Sequence, residues 1–214
     1  DDEVTLVFDD GIKRLARVLD MENRQFELVE ELDDNVELPV QVTIASGFPK
    51  GDKLEFITQK VTELGASQIW AFPADWSVAK WDGKKLGKKV EKLEKIALGA
   101  AEQSKRNVVP SIQLFENKAD FLAQLDQFDS IVVAYEESAK EGEAAALLQA
   151  VAGLETGAKL LFIFGPEGGL SPAEIESFEA KGAVLAGLGP RILRAETAPL
   201  YALSALSVLL ELEK

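Results

Sequence analysis

Two short stretches near the C-terminus carry residue types from which a ligand site can be built. The first is Gly165-Pro166-Glu167-Gly168-Gly169. It follows the apolar run 159–164 and precedes Ser171-Pro172-Ala173-Glu174, a helix start with a capping serine, a glutamate three residues on, and proline in the first turn. Glycines between a strand end and a helix start let a ligand approach the backbone, and the first helical amides are unpaired donors facing that space. The spacing is neither that of a Walker loop nor that of a dinucleotide fingerprint; alone, it also fits an ordinary strand–helix turn. The second stretch is Leu188-Gly189-Pro190-Arg191-Ile192-Leu193-Arg194-Ala195-Glu196-Thr197. Its two permanently charged guanidinium forks suit binding an anion or stabilising negative charge as it develops. Salt bridging with neighbouring acids such as Glu196 is their competing use.

Composition narrows the chemistry. The 214 residues include no histidine and no cysteine. Imidazole-based acid–base catalysis, thiolate nucleophiles and His/Cys metal ligation are therefore excluded within this sequence, and no metal site is expected. The formal net charge is −14, which read in bulk argues against nucleic acid. By segment it does not: residues 1–49 carry net −9, residues 50–110 net +4, and residues 111–214 net −9. A basic middle lies between acidic flanks.

These residues need elements to position them. Residues 3–8, 12–19 and 25–31 read as short strands, with Asp9-Asp10-Gly11 as a hairpin turn. The acidic stretch Glu30–Glu37, ending at Pro39, reads as a linker. From residue 40 strands and helices alternate. Strands are expected at 40–45, 68–72, 111–115, 130–134, 159–164 and 183–188. One helix opens at Asp52, carries Leu54, Ile57, Val61 and Leu64, and stops at Gly65. Another covers 84–104, with Leu86, Val90, Leu93 and Ala97 on one face. The last, from 199 to about 212, is expected to be buried nearly all round, and must lie in the core, in a subunit interface, or in both. Such alternation predicts an α/β fold with a largely parallel sheet covered on both faces, binding ligands at the carboxyl ends of its strands. No apolar run approaches the roughly 18 residues of a membrane span, and Asp1-Asp2-Glu3 is unlike a signal peptide; a cytoplasmic address is expected.

Gly165–Gly169 followed by the 188–198 motif closely resembles the RsmE family, bacterial 16S rRNA uracil-N3 methyltransferases of the SPOUT superfamily. Pro49-Lys50-Gly51-Asp52-Lys53, Gln59–Gly65, Ser77–Trp81 and Ala101-Glu102-Gln103-Ser104 resemble further family blocks, so the likeness covers nearly the whole chain. It implies a SPOUT α/β domain with a C-terminal trefoil knot over residues 39–214, preceded over 1–38 by the later part of a PUA-like, RNA-binding β-barrel. It also implies S-adenosyl-L-methionine as cofactor, a homodimer, and 16S rRNA or the small ribosomal subunit as partner. Carried over residue by residue, Gly165, Pro166, Glu167, Gly168 and Gly169 match the first cofactor loop, and Leu188, Gly189, Ile192, Leu193 and Thr197 fall in the second. Arg191, Arg194 and Glu196 match the polar part of the second motif. Ala195 and Pro199 stand where many members carry threonine and alanine.

Methylating uracil N3 requires loss of its proton, which leaves negative charge over N3 and its flanking carbonyl oxygens. Arg194 is expected to stabilise that charge. Glu196 is expected to orient the base or help remove its proton, and Arg191 to act in catalysis or RNA binding. Absence of a thiol excludes a covalent pyrimidine adduct through this sequence, which fits methylation at nitrogen better than at carbon. Lys50, Lys53, Lys60, Lys80 and Arg106 fall in or beside family-like blocks and are the RNA-binding candidates. The lysines at 85, 88, 89, 92 and 95 form the solvated face of the long helix. Trp76 and Trp81 suit base stacking or packing. The alternatives are a SPOUT methyltransferase acting on another RNA and a catalytically silent RNA-binding protein.

Overall fold

A computed structural model describes residues 2–135 and 144–212. The turn at Asp9-Asp10-Gly11 pairs β1 (Glu3–Val7) with β2 (Lys13–Asp20), and β2 pairs with β3 (Gln25–Leu32), all antiparallel. Bulges between Leu15 and Ala16 and between Val18 and Asp20 break strict alternation along β2. The acidic stretch assigned to a linker begins inside this sheet. Arg14 lies opposite Glu31 and contacts its carboxylate at 2.9 Å, and a cross-strand charge pair of this kind favours pairing. The connection to the second unit therefore starts after Leu32.

That unit is a six-stranded, wholly parallel sheet. Its strands are β4 (Gln41–Gly47), β5 (Gln68–Phe72), β6 (Ser111–Leu114), β7 (Ser130–Ala134), β8 (Lys159–Phe164) and β9 (Val184–Ala186), in the order β6-β5-β4-β8-β7-β9. The uninterrupted apolar run of β8 is what burial on both faces demands. Leu160, Phe162 and Phe164 join Val42, Ile44, Ile57, Leu203 and Leu206 on one side. Leu161 and Ile163 join Trp70, Phe72, Phe121, Val133 and Phe178 on the other.

Helices cover both faces: α1 (Lys53–Glu63), α2 (Gly83–Gln103), α3 (Lys118–Ala123), α4 (Ala144–Ala152), α5 (Pro172–Glu179) and α6 (Ala198–Ser207). The apolar stripe of α2 closes a third cluster, in which Leu86 and Leu93 meet Phe48, Leu54 and Ala71. Among the described residues, no helix is long and apolar enough to cross a membrane. The last helix differs from its expected course. It is α-helical only to Ser207 and continues as a π-helical turn over Val208–Leu212. Ala202, Leu203 and Leu206 are buried, whereas Tyr201, Val208 and Leu212 are exposed. Among the described residues, only one face of this helix meets the core.

One candidate RNA contact is corrected. Arg106 is buried rather than on a basic surface, only 5% exposed. Its guanidinium donates to the carbonyls of Thr62 (3.1 Å) and Ala66 (2.6 Å) and forms a short contact with Glu37. Glu37 also accepts the backbone N–H groups of Asn107 (2.9 Å) and Val108 (3.1 Å), and the Asn107 side chain donates to the Gly11 carbonyl at 2.9 Å. The charge of Arg106 fastens the connection between the two sheets and is not available to phosphate.

Candidate functional site

The strand order reverses between β4 and β8. From β4 the chain winds outward through β5 and β6; β8, β7 and β9 fill the other side. A crevice at the carboxyl ends of such strands is where open α/β sheets bind ligands. Gly47 ends β4 and Gly165 follows β8, so the glycine loop sits at this reversal. The approach there is close. A Cβ on Gly47 would lie 2.5 Å from Pro166 Cδ, and one on Gly165 would lie 2.8 Å from the Gly169 carbonyl carbon. A Cβ on Gly168 would meet Trp76 at 2.9 Å. Glycine is thus required by packing of the loop on itself and on its neighbours.

The helix leaving this loop starts as its sequence predicts. The Ser171 hydroxyl accepts the Glu174 N–H at 3.2 Å, and Glu174 Oε2 accepts the Ser171 N–H at 2.9 Å. Sequence reasoning missed what else Glu174 does. It is 1% exposed, and its second oxygen accepts the Asp75 N–H at 2.9 Å and meets Lys118 at 3.1 Å. The Ser171 hydroxyl donates to Asp75 at 2.6 Å. Lys118, and then that hydroxyl, hold the Asp75 carboxyl below its ordinary range. This network fixes the segment carrying Trp76 against the glycine loop. The half-exposed Trp76 is left at the loop's edge, while Trp81 packs on Phe48 at 4.3 Å with Lys89 over its ring at 4.4 Å.

The arginine loop leaves β9 and reaches the same crevice through a lysine. Lys53, at the start of α1, lies 2.8 Å from Glu167 of the glycine loop and 3.2 Å from Glu196 of the arginine loop. The Lys50 backbone N–H also donates to Glu167 at 3.1 Å. The Lys53–Glu196 contact is ionic without hydrogen-bond alignment, and Glu196 Oε2 is buried with no hydrogen-bond donor. Arg191 and Arg194 are both exposed, and neither makes a side-chain ion pair among the described residues. The Arg194 carbonyl accepts the N–H groups of Thr197 (2.9 Å) and Ala198 (3.0 Å), which fixes the turn beneath its side chain. Thr197 caps α6 by position, without a side-chain capping bond. Leu188, Gly189, Ile192 and Leu193 line this loop, with Ile192 77% exposed. Of the other candidate cations, Lys50 and Lys80 are exposed and Lys60 is paired with Glu63 at 2.8 Å.

Burial favours the neutral form of Glu167, but Lys53 and the neighbouring backbone N–H groups outweigh it and hold the carboxyl below its ordinary 4.5. Glu167 hydrogen bonding, against partial burial, raises Lys53 above 10.5. The Glu167 contribution to stability is present above pH 4.5 and is lost as pH falls through its lowered value; that of Lys53 is present below pH 10.5 and is lost as pH rises through its raised value. A carbon-detected NMR titration of Glu167 should show a midpoint below 4.5 that returns toward 4.5 in Lys53→Met. A wild-type midpoint at or above 4.5 would contradict the pairing.

The parallel sheet, the glycine loop at its reversal and the arginine loop beside it define an RNA methyltransferase: residues 36–207 match the RNA methyltransferase domain family, to which the chain belongs. Within that class it is a member of the small-subunit rRNA methyltransferase E (RsmE) family. It is 54% identical over 185 residues to Ribosomal RNA small subunit methyltransferase E of Bacillus subtilis, covering 86% of this chain and 72% of that protein. Among solved structures, a crystal structure of a hypothetical protein superposes with a TM-score of 0.89 at 44% identity, covering 100% of this chain and 85% of the other. A Neisseria gonorrhoeae Ribosomal RNA small subunit methyltransferase E, crystallised with S-adenosyl methionine, superposes with a TM-score of 0.77 at 27% identity, covering 97% and 84%.

Proposed function

We propose that this protein uses S-adenosyl-L-methionine to methylate N3 of a uridine in 16S rRNA of the small ribosomal subunit. The observation that carries the reading is the meeting of the two motif loops at the sheet's reversal, joined by Lys53. The residues fit the cofactor. Side-chain-free backbone at Gly169 and Gly189 offers close approach, and the buried Glu196 Oε2, which meets Lys53 but accepts no hydrogen bond, keeps acceptor capacity. Gly165, Pro166, Glu167, Gly168 and Gly169 from one loop and Leu188, Gly189, Ile192, Leu193 and Thr197 from the other would hold it. When bound, it supplies a sulfonium methyl as the electrophile.

The chain's own task is to bring uracil N3 into line and to hold charge. Alignment is a large part of such a barrier. Arg194, presented from its fixed turn, hydrogen-bonds the carbonyl oxygens as N3 loses its proton. Glu196 orients the base or accepts that proton, and Arg191 holds RNA beside it. The finer architecture belongs to the same reading: a trefoil knot in residues 39–214, a PUA-like barrel to which β1–β3 contribute, and a homodimer in the cytoplasm. The exposed Tyr201, Val208 and Leu212 on the outer face of α6 and its π-helical extension support a partner subunit there.

Calorimetric titration with S-adenosyl-L-methionine separates an enzyme from a silent RNA-binding module. Saturable one-to-one binding is expected, and no heat would overturn the reading. For RNA, the exposed Lys50 and Lys80 are the contacts retained from the original set. Lys80→Ala should weaken RNA binding and lower the slope of log affinity against log salt by about one. An unchanged slope would remove Lys80 from the RNA surface.

A further inference from the structure

We infer that Lys53 is a positioning residue that sets the spacing of the two cofactor loops; this rests on the function proposed above. The glycine loop follows β8 and the arginine loop follows β9, two strands separated by β7. No sheet hydrogen bond therefore ties one loop to the other. Lys53 supplies that tie from a third element, α1, which follows β4 on the opposite side of the reversal. Its ammonium reaches Glu167 at 2.8 Å and Glu196 at 3.2 Å, with side chains 29%, 25% and 19% exposed.

The anchor is itself well held. Leu54, next to Lys53, is buried between α1 and α2 with Phe48 and Leu93. The Lys50 N–H fixes the Glu167 carboxylate from the same turn. One cation between two carboxylates leaves net negative charge. Lys53 is therefore occupied by protein acids and is poorly suited to meet an RNA phosphate. Removing it leaves Glu167 and Glu196 as like charges without the cation that joins the loops. Loss of a partly buried cation that leaves two carboxylates unpaired is enough to alter affinity about tenfold.

Lys53→Met, Lys53→Arg and the wild type should be compared by calorimetry with S-adenosyl-L-methionine. Amide hydrogen exchange of the ligand-free proteins should be measured in parallel. The expected results are about tenfold weaker cofactor binding in Lys53→Met, substantial rescue in Lys53→Arg, and faster exchange in both loops together. Affinity for 16S rRNA should hold its salt dependence. In a Glu167→Gln/Glu196→Gln background, Lys53→Met should cost no further affinity, a result that a general folding defect would not give. Wild-type cofactor affinity and loop protection in Lys53→Met would overturn the inference alone, as would a salt slope for RNA reduced by about one with cofactor binding intact. A wild type that binds no cofactor would overturn the proposed function and this inference with it.

Discussion

Arg194→Ala should slow single-turnover methyl transfer by about 10²–10³-fold, the range for loss of one donor aimed at developing negative charge. The Arg194 side chain is exposed and makes no ion pair among the described residues, while its carbonyl anchors the turn by accepting two backbone N–H groups. Truncation beyond Cβ leaves that anchor in place. The unfolding midpoint and cofactor affinity should therefore change little, and the loss should appear in the chemical step. Lysine should restore only part of the rate, because a point charge cannot reproduce the planar fork. Glu196→Gln tests the neighbouring role by a different signature: loss of a base shifts the pH–rate profile as well as its height. Near-normal rates in both variants, with normal folding, would remove these two residues from the chemistry. Arg191→Ala is expected to lose RNA affinity rather than single-turnover rate.

The second large effect is on stability. Arg106→Met should destabilise the fold by about 3–5 kcal/mol in urea unfolding, the cost of breaking a buried charge pair by removing one partner. The change strands Glu37, removes the Arg106 donor from the Ala66 carbonyl and leaves the Thr62 carbonyl with the Gly65 N–H. Replacing Glu37 by glutamine should recover part of the loss in the double variant, since a neutral amide still accepts the N–H groups of Asn107 and Val108. A change below about 1 kcal/mol would return Arg106 to the surface and reopen its role with RNA.

The comparison of these two arginines shows what one-dimensional reading captures. The parallel sheet was legible because β8 is a continuous apolar run and the helices repeat at helical period. The Ser171/Glu174 cap was legible because its two partners are three residues apart. The two loops were legible because glycine and arginine cluster within a few positions. Arg106 was misassigned because it stands beside a basic, family-like stretch and is neutralised by an acid distant in sequence; Lys53 stands in such a stretch too, and its ammonium also meets distant acids. Glu37 lies 69 residues from Arg106, and Lys50 reaches Glu167 across 117 residues. Net charge cannot distinguish a lysine held by two carboxylates from one facing solvent. The Asp75–Lys118–Glu174 network escaped notice because it joins three segments, only one of which carries a local signature. The last helix reads as buried nearly all round from its apolar sequence, yet among the described residues Tyr201, Val208 and Leu212 are exposed.

The most direct test is methyl transfer itself. Purified protein should be incubated with S-adenosyl-L-methionine and small ribosomal subunits from a strain lacking the corresponding gene, and the 16S rRNA digested for nucleoside mass analysis. One new 3-methyluridine per 16S rRNA, abolished when cofactor is omitted, is the predicted result. A methyl group on carbon or ribose, or no transfer to small subunits or to free 16S rRNA, would contradict the account.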